Sequence, residues 1–569
     1  MADQVTFNPE LRALADEYWD VVLEHNPTSA TILGDHRFDD RIEDFSEAGQ
    51  AEQRSRLASL LDRVSAVDPA SLAGDDRITY GQLVSELRDG MTMIDRRLVE
   101  LESDQMTGFH VALLQSVPVT SAPDADSAQR MVERFRRVPD ALEQAAERFR
   151  EGAAAGRTPA AVCLERSMHM IEGYLSSPVD VDGVVTMPGP ADWDGERDWR
   201  AALRQAAEEH VRPAYRRLAD RLAGDLLPVA RDDEHCGLVW LDDGAELYAV
   251  LVEHHTTVDV PPEEIHRIGM EEVTEKLPAE YAEVGGRLFG ITDPAAVLER
   301  LRSDPSLRYR TGEEIMGDAR RCLAAATAAM PGWFGKLPRA ACLIEPVPEF
   351  LAADSPTAYY YPPPADGSRG GTYYVNTDRP ENKARYETAS IAFHEAIPGH
   401  HLQLAISTEL TEVPSFRRFS LANTAYVEGW ALYAERLAEE MGLYVDDLER
   451  IGMLACDSIR ACRLVVDTGL HALGWSRSQA IKFMAANSPV SVEEVAVEVD
   501  RYIGMPGQAL AYKMGQREII RLREDARCRL GPAFDIRGFH DAVLGSGAVR
   551  LPLLADLVSS WVAAAPGNG

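Results

Sequence analysis

The sequence predicts a mainly α protein built as two lobes, with a few short strands beside its functional centre. Three observations carry that expectation. Apolar residues recur at spacings of three and four through most of the chain, as one buried face of a helix requires. Strand signals are few and short. The chain of 569 residues also exceeds what one hydrophobic core usually supports, so we divide it into a helical scaffold lobe (1–230) and a second lobe (231–569).

In the first lobe the stripe Leu11, Leu14, Ala15, Tyr18, Trp19, Val22 marks an amphipathic helix, and similar stripes run through 53–65, 76–100 and 128–151. Gly34-Asp35-His36-Arg37-Phe38-Asp39-Asp40 reads as a capped polar turn rather than a site. Pro and Gly around 178–196 predict a loop, and helical patterning resumes over 197–226. Strand signals fall at Leu238-Val239-Trp240-Leu241, at Leu343-Ile344-Glu345-Pro346-Val347 and at Thr372-Tyr373-Tyr374-Val375-Asn376-Thr377. The edge of the last would suit pairing with an extended peptide, with Asn376 holding a carbonyl. A purely structural strand is the equal alternative. The Pro362-Pro363-Pro364 loop is the one biased tract, and from 384 onward the pattern is again helical.

The most informative stretch is Ile-Ala-Phe-His-Glu-Ala-Ile-Pro-Gly-His-His-Leu-Gln-Leu, residues 391–404. His394-Glu395 begins the H-E-x-x-H zinc signature, in which one helical face supplies two imidazoles and a general base. The position of the second histidine is taken by Pro398, and the next histidines are His400 and His401. On a straight helix six residues put side chains on different faces, and seven put them roughly 10.5 Å apart along the axis, too far to share one ion. Pro398-Gly399 suits a bulge or kink that takes up two extra residues. His400 is then preferred to His401 as the second ligand. The alternative is a buried core His394 before a Pro-Gly helix end. Three histidines and a glutamate within eight residues, in a chain with 14 histidines, favour a metal.

Glu428, inside the apolar run 427–435, needs a partner because burying an unpaired carboxylate is costly, and Gly429 beside it permits close helix approach. Glu428 is therefore the candidate third ligand, and Glu435, two turns on, the candidate support or substitute. Arg460, Arg463, Asp467 and His471 form a polar stripe on an apolar helix: an ion-pair ladder or a site wall, with Arg463 and His471 as substrate contacts in the second case. The turn Pro506-Gly507 leads into Gln508 and Tyr512, and a tyrosine aimed at the metal would donate to a developing oxyanion; Tyr512 is chosen, with Tyr502 as its competitor.

Composition narrows the partners. Ninety-two acidic against 58 basic residues give a net charge of −34, which argues against nucleic acid and anionic membrane surfaces. The first residues lack the basic and apolar regions of a signal peptide, no apolar run reaches 18 residues, and the seven dispersed cysteines read as reduced thiols, so a cytoplasmic protein is expected.

Taken together, His-Glu-Ala-Ile-Pro-Gly-His-His, Glu-Gly-Trp-Ala-Leu-Tyr-Ala-Glu, Arg-Leu-Val-Val-Asp-Thr-Gly-Leu-His and Pro-Gly-Gln-Ala-Leu-Ala-Tyr resemble the bacterial family catalogued as domain of unknown function 885. That family looks like a distant relative of the gluzincin metallopeptidases, which are largely helical and two-lobed. The resemblance implies zinc on two histidines and a glutamate, with the glutamate beside the first histidine as base. The Pro-Gly insertion departs from the H-E-x-x-H pattern. The expectation is thus a zinc hydrolase cutting a peptide or related amide bond in small substrates, with Zn2+ on His394, His400 and Glu428, Glu395 as base and Tyr512 as oxyanion donor. Two rivals stand beside it: a metal enzyme of another class, such as a lyase or a hydrolase of modified amino-acid conjugates, and a metal-free binding protein.

Overall fold

The computed structural model describes residues 8–348, 352, 355–363, 369–420 and 422–565. The first seven residues and Pro364 of the triple-proline loop lie outside them. The protein is mainly helical, 71% helix against 3% strand, with one small three-stranded sheet. Its chain divides into two compact units. The first runs to Leu247 and regains Gly474–Ser478 and Asp500–Met505; the second holds Tyr248–Leu473, Gln479–Val499 and the chain from Pro506.

In the first unit the stripes become the helices Pro9–His25, Glu47–Ser65, Asp75–Asp95 and Ala125–Ala154. Their starts are set by capping: the Asn8, Ser46 and Asp124 side chains accept from the backbone N–H groups of Leu11, Gly49 and Ser127. The long Ala125–Ala154 helix buries Met131, Phe135, Val138, Leu142 and Phe149 against Leu203, Tyr215 and Leu218. The turn at 34–40 is a structural fixture. Asp35 caps the short His36–Phe38 helix, Thr31 donates to Asp39, and buried Arg134 donates to the carbonyls of Pro27, Phe38 and Arg41. The loop expected over 178–196 contains two helical turns, Val179–Val181 and Gly183–Thr186.

Leu238–Trp240 is a 3-10 turn and not a strand. Leu241 N donates to Leu238 O at 2.8 Å, and the chain doubles back so tightly that a Cβ on Gly244 would lie 1.6 Å from that same oxygen. Four apolar residues without a partner ladder do not make a strand.

The second unit carries the sheet, in the order β1 (Cys342–Pro346), β3 (Gly371–Val375), β2 (Ala358–Tyr361). β3 runs parallel to β1, with Cys342 opposite Gly371, and antiparallel to β2, with Ala358 opposite Val375. Both ladders of β3 are therefore filled. The peptide-pairing edge expected at 372–377 does not exist, because the unanticipated strand β2 occupies it.

Two helices of this unit, Thr424–Glu440 and Leu510–Leu530, touch backbone to backbone. A Cβ on Gly515 would lie 1.8 Å from Ala425 O, and one on Gly429 would lie 2.5 Å from the Gly515 Cα. A third helix, Asp447–His471, packs on the others through buried charge: Asp457 pairs with Lys513 at 2.6 Å and Arg436 at 2.5 Å, and Arg436 also meets Glu280 at 2.6 Å. Buried charges are tolerable only when paired in this way. Gly429→Ala and Gly515→Ala should each cost roughly 1–3 kcal/mol, the range of overpacked contacts. Calorimetry checks this, and an unchanged melting temperature in both variants would contradict the close approach.

Candidate metal centre

The His-Glu motif lies on two helices rather than one kinked helix. The helix Thr388–Glu395 stops at Ala396, whose φ of −100° and ψ of −103° leave the helical region. The Ile397–Pro398 peptide is cis, and Gly399 (φ −81°, ψ −127°) begins the helix His400–Glu409. Gly399 is obligatory for packing: a Cβ there would lie 1.8 Å from His394 O and 2.4 Å from Phe393 O. From the neighbouring helix, Trp430 Nε1 donates to Pro398 O at 2.9 Å and pins the turn.

This break does what spacing on a straight helix forbids. The His394 and His400 rings come to 4.8 Å between centroids at 84°, and each Nε2 lies 3.5 Å from Glu428 Oε2, delivered by the Thr424–Glu440 helix. The three donor atoms all fall within 4.8 Å of one another. Tetrahedral zinc with bonds of about 2.1 Å sets its donors roughly 3.4 Å apart. The donor set fits on chemical grounds too. Glu428 Oε2 is buried without a hydrogen-bond partner, an expensive state for a carboxylate oxygen unless a cation meets it.

Supporting contacts orient the first histidine. His394 Nδ1 donates to Glu435 Oε1 at 2.8 Å, leaving Nε2 as an electron-pair donor, and Glu435 Oε2 accepts from Ser390 Oγ at 2.6 Å. Both Glu435 carboxylate oxygens are thus already engaged. His401 is turned away. Its Nε2 donates to Ala340 O at 3.2 Å, which fixes the tautomer, and its Nδ1 accepts from the Tyr360 hydroxyl at 2.9 Å. Burial pushes this imidazole down to about 4, so it stays neutral.

Charge is tuned across the cluster. Burial opposes protonation of His394, but Glu428 and Glu435 outweigh it and raise the ring to about 9. Burial also opposes ionisation of Glu428, and the two histidines outweigh it, holding that carboxyl well below the usual range. For Glu395 the balance reverses. Burial pushes its carboxyl up, and the opposing pull of His394 and His400 does not cancel it.

The other expected site residues are distributed differently. Arg463 lies over the half-buried Tyr512 ring at 4.4 Å and pairs with Glu498 at 3.0 Å. His471 is fully buried against Tyr248 at 5.2 Å, so it is a core residue rather than a substrate contact. Asn376 is likewise withdrawn: its Nδ2 donates to the Ala352, Ser355 and Pro356 carbonyls, and its Oδ1 accepts from Asp378 N. Those bonds secure the segment entering β2. Tyr502 is fully buried within the first unit, under Arg501. Sequence reasoning missed Ser390 and Tyr360. Ser390 stands one helical turn before His394, and that spacing was the available signal; Tyr360 gave none.

Replacing His394, His400 or Glu428 by Ala should drop bound zinc well below one per chain by elemental analysis, whereas His401→Ala should keep it. Glu435→Gln should weaken zinc affinity about 10–100-fold, as losses of such supporting groups do. Zinc retained by His400→Ala and lost by His401→Ala would reverse the choice between the two neighbours.

No curated protein matches this chain. The solved structures similar to it include the following two. One, from Colwellia psychrerythraea and described as a candidate lipoprotein, has a TM-score of 0.90 at 25% identity over 97% of this chain and 98% of that one. The other, from Shewanella oneidensis and described as a candidate lipoprotein of unknown function, has a TM-score of 0.75 at 19% identity over 97% of this chain and 100% of that one, which speaks to fold alone. The family model for bacterial proteins of unknown function, DUF885, matches residues 27–558, and the chain therefore belongs to that family.

Proposed function

We propose that the protein is a zinc-dependent hydrolase that cleaves a peptide or related amide bond in small substrates. The observation that carries this reading is the meeting of His394, His400 and the unsatisfied Glu428 oxygen, with Glu395 on the residue next to the first histidine. Zinc held by those three residues would supply Lewis acidity, polarising a carbonyl and lowering the pKa of water.

The chain's own groups supply the rest. Glu395, half-buried and with its carboxyl pushed up, is suited to take a proton from the attacking water and pass it to the leaving amine. Ser390 and Glu435 keep the His394 ring from rotating, so the base and its neighbour hold a fixed relation. Tyr512 is the proposed donor to the developing oxyanion. The Arg463 guanidinium over its ring and the nearby charge of Arg460 both favour extra negative charge there. A net charge of −34 favours a small peptide or amino-acid-derived substrate over nucleic acid or an anionic membrane.

The cytoplasm is the proposed compartment. None of the seven cysteines is paired, and Cys528 is exposed, which suits reducing surroundings. No helix among the described residues is long and apolar enough to cross a membrane. The two similar structures, described as candidate lipoproteins, supply the opposing case.

In steady-state assays of zinc-loaded protein, Glu395→Gln should lose at least about 100-fold in turnover while keeping metal and fold, the scale of general-base removal. Tyr512→Phe should lower kcat by roughly 100-fold with little change in KM. A fully active Glu395→Gln enzyme would exclude the mechanism. Cell fractionation should place the protein in the soluble cytosolic fraction, and recovery with membranes would move it to the compartment its structural relatives suggest.

A further inference from the structure

Two arginines of the second unit hold carboxylates directly. Arg436 reaches both Glu280 at 2.6 Å and Asp457 at 2.5 Å, and Arg523 holds Glu440 through two bonds of 2.8 and 2.5 Å. Among the described residues, Arg460 has no carboxylate at hydrogen-bond distance. Its NH1 donates to the Cys456 carbonyl at 3.1 Å, its Nε is buried without a hydrogen-bond partner, and its NH2 stands 3.8 Å from Glu435 Oε1, beyond hydrogen-bond reach. Both oxygens of Glu435 are already taken by His394 and Ser390. A guanidinium offers five N–H donors in a planar fork that matches a carboxylate, and leaving it buried and unmatched is costly.

Its position gives that deficit a meaning. Arg460 approaches the carboxylate that orients His394, which places it beside the first histidine of the cluster. With 14% of its side chain exposed, it is open enough for a ligand atom and too closed for full hydration. Glu435 balances part of its charge while supplying no hydrogen bond to it. In a chain of net charge −34, an underpaired cation beside the centre also offers an anionic ligand a local attraction against the general repulsion.

We infer that Arg460 is the carboxylate-recognition residue of this site, its fork receiving the free α-carboxylate of a short peptide or an N-acyl amino acid. Holding that group fixes which amide bond meets Glu395 and makes the protein exo-acting on C-terminal residues. The cleavage half of this inference rests on the hydrolase reading above; the binding half does not.

Calorimetry on zinc-loaded protein carrying Glu395→Gln, which blocks turnover, tests the binding half directly. The probes are glycyl dipeptides ending in leucine, phenylalanine, aspartate or lysine, each as the free acid and as the C-terminal amide. At least one acid should bind about 10-fold or more tightly than its amide, the scale of a charge-assisted pair. Arg460→Met should bring that pair to parity with zinc content unchanged, and Arg460→Lys, which keeps the charge without the fork, should recover part of the difference. A merely structural Arg460 would leave the acid-to-amide ratio where it was. Parity in the unaltered site, no binding of any acid, or discrimination that survives Arg460→Met overturns the inference. If Arg460-dependent discrimination is found and the protein with Glu395 restored cleaves none of the dipeptides, the hydrolase reading fails and the carboxylate seat stands.

Discussion

The contact on which the site depends is the approach of the Gly399 backbone to the carbonyl of His394, where even a methyl group has no room. Two inserted residues would carry the second histidine off the face of any continuous helix. Ending one helix at Glu395 and starting another at His400 cancels that displacement, and the cancellation holds only while the turn stays folded onto the helix before it. Trp430 maintains this from outside by donating to Pro398. Trp430 in turn sits on the helix that carries Glu428, and that helix is set by the Gly429–Gly515 contact and the Arg436–Asp457–Lys513 charges. The geometry of the cluster and the packing of the core are thus one system: the residue that pins the turn and the residue that faces the two histidines are neighbours on the same helix.

Three glutamates around this centre have one chemistry and three environments. Glu428 faces two imidazoles and is held ionised. Glu435 is fully buried and saturated by His394 and Ser390, so its charge serves to orient. Glu395, adjacent to His394 in sequence, is pushed toward protonation by burial against the pull of both histidines. The separation is produced by which helix face each residue occupies and by what stands opposite it. A carboxyl that takes up protons readily beside one that does not is the division of labour that the proposed proton transfer would need.

Much of this was legible in the sequence, for a physical reason. Helical periodicity survives any tertiary arrangement, so the helices Glu47–Ser65, Asp75–Asp95 and Ala125–Ala154 follow from their apolar stripes. His394, His400 and Glu428, which meet in the structure, could be singled out because histidine and glutamate are scarce in apolar runs. What failed depended on partners far along the chain. Leu238–Trp240 has the residues of a strand and lacks a neighbour to pair with, while β2, three tyrosines between prolines, gains strand structure only because β3 is there to receive it. Asn376 and His471 have the right chemistry for a site, and only the folded chain shows that their hydrogen bonds and faces are already used. The choice between adjacent His400 and His401 rested on the register of a turn, and the structure gives the second of them two partners that no spacing rule anticipates.

His394, Glu395, His400 and Glu428 all come from one unit and from a single short span. Entropy lost on closing a chain segment grows only slowly with its length and is small for a span of this size, so these groups are brought together at low conformational cost compared with a site drawn from distant parts of the chain. Such an arrangement has low contact order, and sites of this kind can form early, while more distant packing is still incomplete. Its supports lie outside that span: Trp430, Glu435 and Gly515 hold the turn, the first ring and the helix that carries Glu428. None of His394, Glu395, His400 and Glu428 belongs to the first unit.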